Sequence, residues 1–264
     1  MPARIVVLGG GIGGLLTANL LAKRLDRTQA SITLVDATGM HVFQPGWLYV
    51  ALDKANARWL ARDTRALLRR SVRLVIDEAS AIDVVGRRVS LTRGDHLEFD
   101  YLVIATGAAL ARDEIPGLRD ATHDFYSSAG AERLREALRG FSGGNLVVSV
   151  PPMPFKCPPA PVEFSLLLDE YLTKRGVRDR TRIIYASPLD RVFPIASVAG
   201  MVDDLFARHN IESHLGFNLA RVEDKALISQ TGEEVPFDLA VTIPPNRGSA
   251  IAKTSGLGNH QGWI

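Results

Sequence analysis

A glycine-rich turn between a short apolar strand and a helix constrains the fold of this chain more than any other feature. Arg4–Leu8 is an apolar run of the buried-strand type, and the turn Gly9–Gly14 that follows it reads GGGIGG. Leu15–Leu25 is predicted to be a helix, and Ser31–Val35 to be a second strand that ends on Asp36. A strand, a glycine turn, a helix and a strand ending in an acid, in this order, predict a βαβ unit that binds a dinucleotide.

Each part of this motif has a physical task. Gly9 allows the tight turn, Gly11 lets the backbone approach a pyrophosphate, and Gly14 lets the helix pack closely on the strand. The pyrophosphate is expected at the N-terminus of the helix, where backbone N–H groups are free. Asp36, 22 residues after Gly14, is predicted to bind a ribose hydroxyl. A glycine-rich turn without a ligand is the less favoured interpretation, because all parts of the motif are present in order.

A second strand–turn–helix unit has a turn of different composition. Asn145–Val150 is predicted to be a buried strand, and Glu163–Lys174 the helix that follows it. Between them the chain reads PPMPFKCPPAP, with six prolines around Cys157, the only cysteine of the sequence. Proline has no backbone N–H, so this turn lacks the donors that a phosphate needs. We therefore predict that the turn holds a thiol and binds no nicotinamide dinucleotide.

The order of the predicted elements indicates an α/β fold with two tandem Rossmann-like domains, the first of them discontinuous. Tyr101–Ile104 is a further buried strand, and it ends in the small-residue turn Ala105-Thr106-Gly107. Residues 41–70 are predicted to begin as an aromatic-rich loop and to continue as a basic helix. The predicted domains are residues 1–112 with 245–264, and residues 113–244.

Composition excludes several classes of protein. The net charge of the 264 residues is near +2, so no nucleic-acid partner is implied. One cysteine excludes an internal disulfide, and the histidines lack metal-ligand spacing, so no metal is predicted. No stretch of ~18 uncharged apolar residues is present, and no secretory signal is visible. These features predict a cytoplasmic location, with peripheral contact to the inner face of the membrane left open.

Taken together, the motifs resemble the two-dinucleotide-binding-domain flavoproteins, and among them the sulfide:quinone oxidoreductases and the flavoprotein subunits of flavocytochrome c sulfide dehydrogenase. The glycine and ATG motifs are shared by the whole superfamily, and the cysteine loop narrows the resemblance to the sulfide-oxidising members. The residues that carry the resemblance are Gly9–Gly14, Asp36, Phe43–Pro45 with Trp47, Asp100–Gly107, Phe155–Cys157 with Pro161 and Glu163, and Thr242–Pro245.

The resemblance implies FAD as the cofactor, with its pyrophosphate on the Gly9–Gly14 loop and its ribose on Asp36. Cys157 corresponds to a redox-active cysteine on which sulfide-derived sulfur forms a persulfide, while electrons pass to FAD and then to a quinone. Lys156 is expected to favour the thiolate, and a solvated surface lysine is the equal alternative. Further residues implied to line the cofactor are Pro45, Ala79, Ala105, Thr106, Gly107 and Pro245.

The sequence departs from the family pattern at three places. The family oxidises sulfide with two cysteines, and the second lies in a C-terminal third that this sequence does not contain. A further family cysteine falls near Ser127-Ser128. A late V-F-A-x-G-D segment, whose Asp binds the cofactor, is also missing. The chain is therefore expected to correspond to the first two thirds of such an enzyme, with an incomplete flavin site.

Three functions stay open at this point. The favoured one is an FAD-dependent oxidoreductase of the sulfide:quinone type. An NAD(P)H:quinone reductase of the type II NADH dehydrogenase kind and a non-catalytic nucleotide-binding fragment are the alternatives. For Glu163, a first-turn acid stabilised by the helix dipole is favoured over a proton relay. For Phe43, Trp47 and Tyr49, core packing is favoured over a quinone pocket.

Overall fold

A computed structural model describes all 264 residues. None of its helices combines the length and the apolar content that a bilayer span requires. The helices are α1 (Ile12–Arg24), α2 (Trp47–Ala51), α3 (Thr64–Leu67), α4 (Leu118–Ala121), α5 (Ser128–Gly140), α6 (Pro159–Lys174), α7 (Ala196–Arg208) and α8 (Ala250–Thr254). The strands are β1 (Ala3–Leu8), β2 (Ala30–Asp36), β3 (Met40–Val42), β4 (Ala61–Asp63), β5 (Arg73–Ile76), β6 (Ala79–Asp83), β7 (Arg88–Leu91), β8 (His96–Glu98), β9 (Tyr101–Ile104), β10 (Ala108–Leu110), β11 (Gly144–Ser149), β12 (Thr181–Ser187), β13 (Ile211–Leu215), β14 (Leu219–Glu223), β15 (Ala226–Ser229), β16 (Glu234–Pro236), β17 (Leu239–Thr242) and β18 (Asn246–Gly248).

The chain divides into two compact units. The first unit consists of Met1–Phe43, Trp59–Ala109 and Arg247–Ile264, and the second of Gln44–Arg58 and Leu110–Asn246. The sequence assigned residues 44–58 to the first domain, but they pack within the second unit. There α2 lies against α5, and an ion pair joins Arg139 to Asp53 at 2.7 Å.

The first unit contains a parallel sheet in the strand order β5-β2-β1-β9. Helix α1 connects β1 to β2, and the antiparallel meander β6-β7-β8 precedes β9. Ile5 and Val7 of β1 pack with Leu15 of α1 on one face, and Val6 and Leu8 pack with meander residues on the other. Because both faces are covered, this strand is apolar throughout and does not alternate.

The second unit repeats this topology. Its parallel sheet has the order β13-β12-β11-β17, helix α6 connects β11 to β12, and the antiparallel meander β14-β15-β16 precedes β17. In both units the first strand lies between the second and the last, as in half of a doubly wound dinucleotide-binding fold. The predicted α/β class with two Rossmann-like units is therefore confirmed.

The prediction that residues 41–70 continue from a loop into one basic helix is wrong. Helix α2 is only five residues long, and Asp53 follows it with a left-handed φ of 58°. Asp63 then begins a separate short helix, α3, by accepting a hydrogen bond from the Arg65 N–H at 2.7 Å. The basic residues of this segment therefore belong to several short elements.

Candidate functional site

In the glycine turn after β1, neighbouring backbone atoms leave no room for a side chain at two of the glycines. Gly9 has a φ of +102°, and a Cβ there would lie 2.3 Å from the carbonyl oxygen of Ala105. A Cβ on Gly14 would lie 1.8 Å from the carbonyl oxygen of Gly9. Both distances are far below van der Waals contact. The close packing predicted for Gly14 thus involves the turn itself, at the start of α1.

Gly11 differs from both, because a Cβ added to it would have no heavy atom within 4 Å. It is the N-cap of α1, and no side chain caps this helix. The first backbone hydrogen bond of the helix runs from the Leu15 N–H to the Gly11 carbonyl oxygen at 3.0 Å. The N–H groups of Ile12, Gly13 and Gly14 precede this bond and lack partners within the helix, as at helix N-termini that bind anions. Packing within the chain therefore does not explain a glycine at position 11.

The end of β2 places Asp36 beside the same turn. A Cβ on Gly10 would lie 2.3 Å from an oxygen of the Asp36 carboxylate. This carboxylate is buried and accepts hydrogen bonds from the Thr64 hydroxyl at 2.9 Å and from the Thr38 N–H at 3.3 Å. Thr64 is fully buried, and nothing in the sequence pattern marks it as a partner. The Asp77 N–H donates to the Asp36 carbonyl oxygen at 3.1 Å. This bond places the residues just before Ala79 next to the end of β2.

The turn after β9 lies against the glycine turn. Ala105 contributes the carbonyl that excludes a side chain at Gly9, and Gly107 has a φ of +71°. The Thr106 hydroxyl donates to the Ser249 hydroxyl at 2.7 Å, a contact that the sequence did not predict. The first unit therefore brings together the predicted residues at the ends of β1, β2 and β9, which is where open α/β sheets bind ligands.

In the second unit, Cys157 lies on the turn that links β11 to α6. Its side chain is exposed, and its φ of 57° is in the left-handed region that non-glycine residues rarely adopt. The thiol is therefore not buried in the core. Helix α6 begins at Pro159, four residues earlier than predicted, because proline is tolerated in a first helical turn. The Ala160 N–H donates to the Cys157 carbonyl oxygen at 3.0 Å, and Pro159 and Pro161 have no N–H.

Lys156 is half-buried and is therefore not fully solvated. Its Nζ donates to Gln44 Oε1 at 3.2 Å, and its burial lowers the pKa of the ammonium group. Pro45 follows Gln44 directly, so the structure brings the exposed Pro45 turn to the cysteine loop. On the other side, the Lys156 N–H donates to Asn246 Oδ1 at 3.1 Å, directly after the buried Pro245. The predicted residues of the second unit therefore lie around one loop.

Sequence reasoning missed Tyr126 and Asn246 in this arrangement. The Tyr126 hydroxyl donates to the Lys156 carbonyl oxygen at 2.8 Å, and burial raises the pKa of this phenol. Ser127, near the position of a family cysteine, has a structural task. It is the N-cap of α5, where its hydroxyl accepts from the Gly130 N–H and from Arg112, each at 3.1 Å.

Two secondary interpretations are also wrong. Glu163 lies beyond the first turn of α6, because the helix begins at Pro159. It accepts a hydrogen bond from the Tyr49 hydroxyl at 2.8 Å, which raises the pKa of that phenol. Phe43 is 52% exposed, so it does not belong to the core.

Comparison with known families gives two matches along the chain. The family described as "Pyridine nucleotide-disulphide oxidoreductase" matches residues 3–149. The description "Sulfide dehydrogenase [flavocytochrome c] flavoprotein chain, central" applies to the match over residues 131–244, which include the cysteine loop. These families are FAD-binding flavoproteins, in agreement with the cofactor predicted from the sequence.

Individual relatives extend this result. The mitochondrial sulfide:quinone oxidoreductase of Mus musculus is 25% identical over 98% of this chain, which spans 60% of that protein. The X-ray structure of the sulfide:quinone oxidoreductase from Aquifex aeolicus superposes with a TM-score of 0.88 at 24% identity, over 98% of this chain and 62% of that one. An NDH2 from Plasmodium falciparum, solved with NADH, gives a TM-score of 0.76 at 14% identity, over 99% of this chain and 59% of that one. The resemblance predicted from the sequence is confirmed.

Proposed function

Because this chain belongs to the pyridine nucleotide-disulphide oxidoreductase family, we propose that it is an FAD-dependent oxidoreductase of the sulfide:quinone type. The observation that carries the proposal is the exposed Cys157 thiol, on a turn where a second dinucleotide-binding loop would otherwise stand. The chain spans about 60% of the length of the curated relatives that it matches.

The residues of the first unit fit the phosphates of FAD. The open space at Gly11 and the uncapped start of α1 would take the pyrophosphate. Asp36, held by Thr64, would accept a hydrogen bond from the adenosine ribose. The segment at Ala79 and the turn Ala105–Gly107 would line the cofactor. Contact of Pro45 and Pro245 with the cofactor stays a prediction of the family resemblance.

The proposed reaction joins one sulfide sulfur to Cys157. An S–S bond forms between Sγ and the sulfide sulfur, so that hydrogen sulfide and the thiol give a persulfide, two protons and two electrons. FAD, when bound, supplies the two-electron acceptor, and a quinone that takes up two electrons and two protons becomes the quinol. Transfer of the outer sulfur to a second hydrosulfide ion restores the thiol. The Lys156 ammonium, next to Cys157 in sequence, would attract the hydrosulfide anion and stabilise the thiolate.

An NAD(P)H:quinone reductase is the second candidate, and the start of α6 argues against it. A nicotinamide dinucleotide in the second unit would need free N–H groups there. Pro159 and Pro161 have none, and the Ala160 N–H is already bonded to the Cys157 carbonyl oxygen. A non-catalytic nucleotide-binding fragment is the third candidate.

Anaerobic titration of the FAD-loaded protein separates these functions. We expect the visible absorbance of the flavin to bleach with sulfide and to return when a soluble quinone is added. NADH and NADPH should leave the absorbance unchanged, and calorimetry should detect no micromolar binding of either. Bleaching by NADH would instead support the reductase, and a protein that retains no FAD would support the non-catalytic fragment.

A further inference from the structure

The peptide group that precedes Cys157 is held from two sides. The Lys156 N–H donates to Asn246 Oδ1 at 3.1 Å, and the Lys156 carbonyl oxygen accepts from the Tyr126 hydroxyl at 2.8 Å. The peptide group that follows Cys157 is also fixed, because its carbonyl oxygen accepts from the Ala160 N–H at 3.0 Å. The φ and ψ angles of a residue are set by the orientations of its two flanking peptide groups. Hydrogen bonds therefore hold both peptide groups that flank Cys157.

The conformation of Cys157 between them is an unfavourable one. Cys157 has a φ of 57°, and the left-handed region is disfavoured for an L-residue because its Cβ clashes with the following carbonyl. A free loop would relax to an ordinary conformation and turn the side chain elsewhere. Such strain persists only where the surrounding structure over-determines it. Tyr126 and Asn246 lie outside this turn, and both form hydrogen bonds with its backbone.

Asn246 and Tyr126 are both buried and held by further contacts. Asn246 is 1% exposed, its Nδ2 donates to the Pro244 carbonyl oxygen at 3.0 Å, and its N–H donates to the Pro154 carbonyl oxygen at 3.3 Å. Tyr126 is also buried, and its ring lies 5.2 Å from that of Phe125. The Phe125 ring stacks in turn on Phe164 of α6 at 4.6 Å. The two residues thus connect the cysteine loop to the first residue of β18 and to the core.

From this geometry we propose that Tyr126 and Asn246 are positioning residues, which hold Cys157 in its left-handed conformation and present the thiol for reaction with sulfide. The proposal rests on the function proposed above for Cys157, but the constraint on the backbone does not. The Tyr126 hydroxyl also lies 3.5 Å from the Cys157 carbonyl oxygen. Both residues bond the peptide group of Lys156, which precedes Cys157.

Nuclear magnetic resonance of the single cysteine tests this directly. Incorporation of ¹³Cβ- and ¹⁵N-labelled cysteine into the full chain gives one signal, because the chain has one cysteine. We expect the Cys157 signal of Tyr126→Phe and of Asn246→Ala to move toward its position in the unfolded chain or to split. Tyr185→Phe is the matched control, since Tyr185 is another buried tyrosine that donates to a backbone carbonyl, that of Val192 at 3.3 Å. Its Cys157 signal should stay at the wild-type position.

Activity provides the second measurement. In Tyr126→Phe the rate of sulfide-dependent flavin bleaching should fall about tenfold, the effect of one ordinary hydrogen bond, while FAD content stays unchanged. A wild-type Cys157 signal in folded Tyr126→Phe would overturn the positioning role, and this variant decides the matter if Asn246→Ala does not fold. If the signal moves as expected but sulfide bleaches no flavin even in the wild type, the positioning role stands and the proposed function fails.

Discussion

The turn that follows β1 and the turn that follows β11 stand at the same position in two sheets of the same strand order. Leu8 pairs with Val35 and Ile104 on its two sides, and Ser149 pairs with Ala186 and Thr242. By this register, Asp36 at the end of β2 corresponds to Ser187 at the end of β12. The first unit has glycines in the turn and an acid on the neighbouring strand. The second has prolines in the turn and a serine on that strand.

The difference concerns where hydrogen-bond donors and charge are located. In the first unit the donors are backbone N–H groups at the start of α1, which no side chain caps. In the second unit the corresponding N–H groups are removed by proline or bonded to the Cys157 carbonyl oxygen, and the positive charge is on the Lys156 side chain. The proposed phosphate site of the first unit and the thiol of the second therefore differ through the composition of the turn, while the strand order of the sheet is the same.

The largest effect is expected when the thiol is removed. Cys157→Ser should abolish sulfide-dependent bleaching of the flavin, since the hydroxyl cannot form the S–S bond. FAD content and the midpoint of thermal unfolding should remain at wild-type values, because the swap is nearly isosteric and the side chain is exposed. Stopped-flow absorbance with a single equivalent of sulfide measures the loss. Bleaching at the wild-type rate would show that Cys157 takes no part in the reaction.

Two glycine variants in the first unit should separate packing from ligand binding. Gly14→Ala places a Cβ 1.8 Å from the Gly9 carbonyl oxygen, and should lower the free energy of unfolding by about 3 kcal/mol. Gly11→Ala meets no protein atom, and should cost the apo protein less than ~1 kcal/mol as a poorer N-cap. The same Gly11 variant should weaken FAD retention about tenfold through crowding of the pyrophosphate.

Urea unfolding of the apo protein and the ratio of flavin to protein absorbance give the two readouts. Equal losses of stability in both variants would contradict the division of tasks among the glycines. Unchanged flavin content in Gly11→Ala would remove the pyrophosphate from this turn.

The strands and the order of the units could be predicted because they depend on local patterns. Ile5–Leu8 and Leu146–Val150 are buried, and such continuous apolar runs indicate parallel strands without any tertiary information. The sequence places the start of α6 four residues too far along the chain, at Glu163 and not at Pro159. Prolines usually indicate a turn, but they are also tolerated in the first turn of a helix. The contacts of Tyr126 and Asn246 with the cysteine loop could not be predicted. They join residues 30 and 90 positions from Lys156, and only the folded chain brings them together.

A smaller effect on stability is expected at Asp36, the carboxylate that has no counterpart in the second unit. Thr64→Val removes the hydroxyl that donates to the buried Asp36 carboxylate, and should cost about 1.5 kcal/mol of unfolding free energy. A double-mutant cycle with Asp36→Ala measures the coupling, because the loss should disappear when the carboxylate is absent. A cost that persists in the Asp36→Ala background would assign the effect of Thr64 to packing.

The smallest effect concerns the charge on Lys156, which distinguishes the second turn from the first. A backbone N–H donor does not titrate, whereas the Lys156 ammonium does. Burial lowers the pKa of Lys156 from the ordinary 10.5, so its charge is lost at a lower pH than that of an exposed lysine. Between the lowered and the ordinary pKa the unfolded chain binds more protons at this group. Its contribution to stability therefore rises with pH across that window.

Alkylation of Cys157 with a charged and a neutral reagent isolates this contribution. At neutral pH the ratio of the rates with iodoacetate and iodoacetamide should fall about threefold in Lys156→Met, the size expected for a partly solvated charge. In the wild type the same ratio should fall as the pH rises through the pKa of Lys156, and in the variant it should stay flat. Lys174→Met is the matched control, since Lys174 is an exposed lysine at the far end of α6 that pairs with Glu170. A wild-type ratio in Lys156→Met would leave the second turn without a charge that acts on the thiol, and would reduce the contrast between the two turns to the loss of backbone donors.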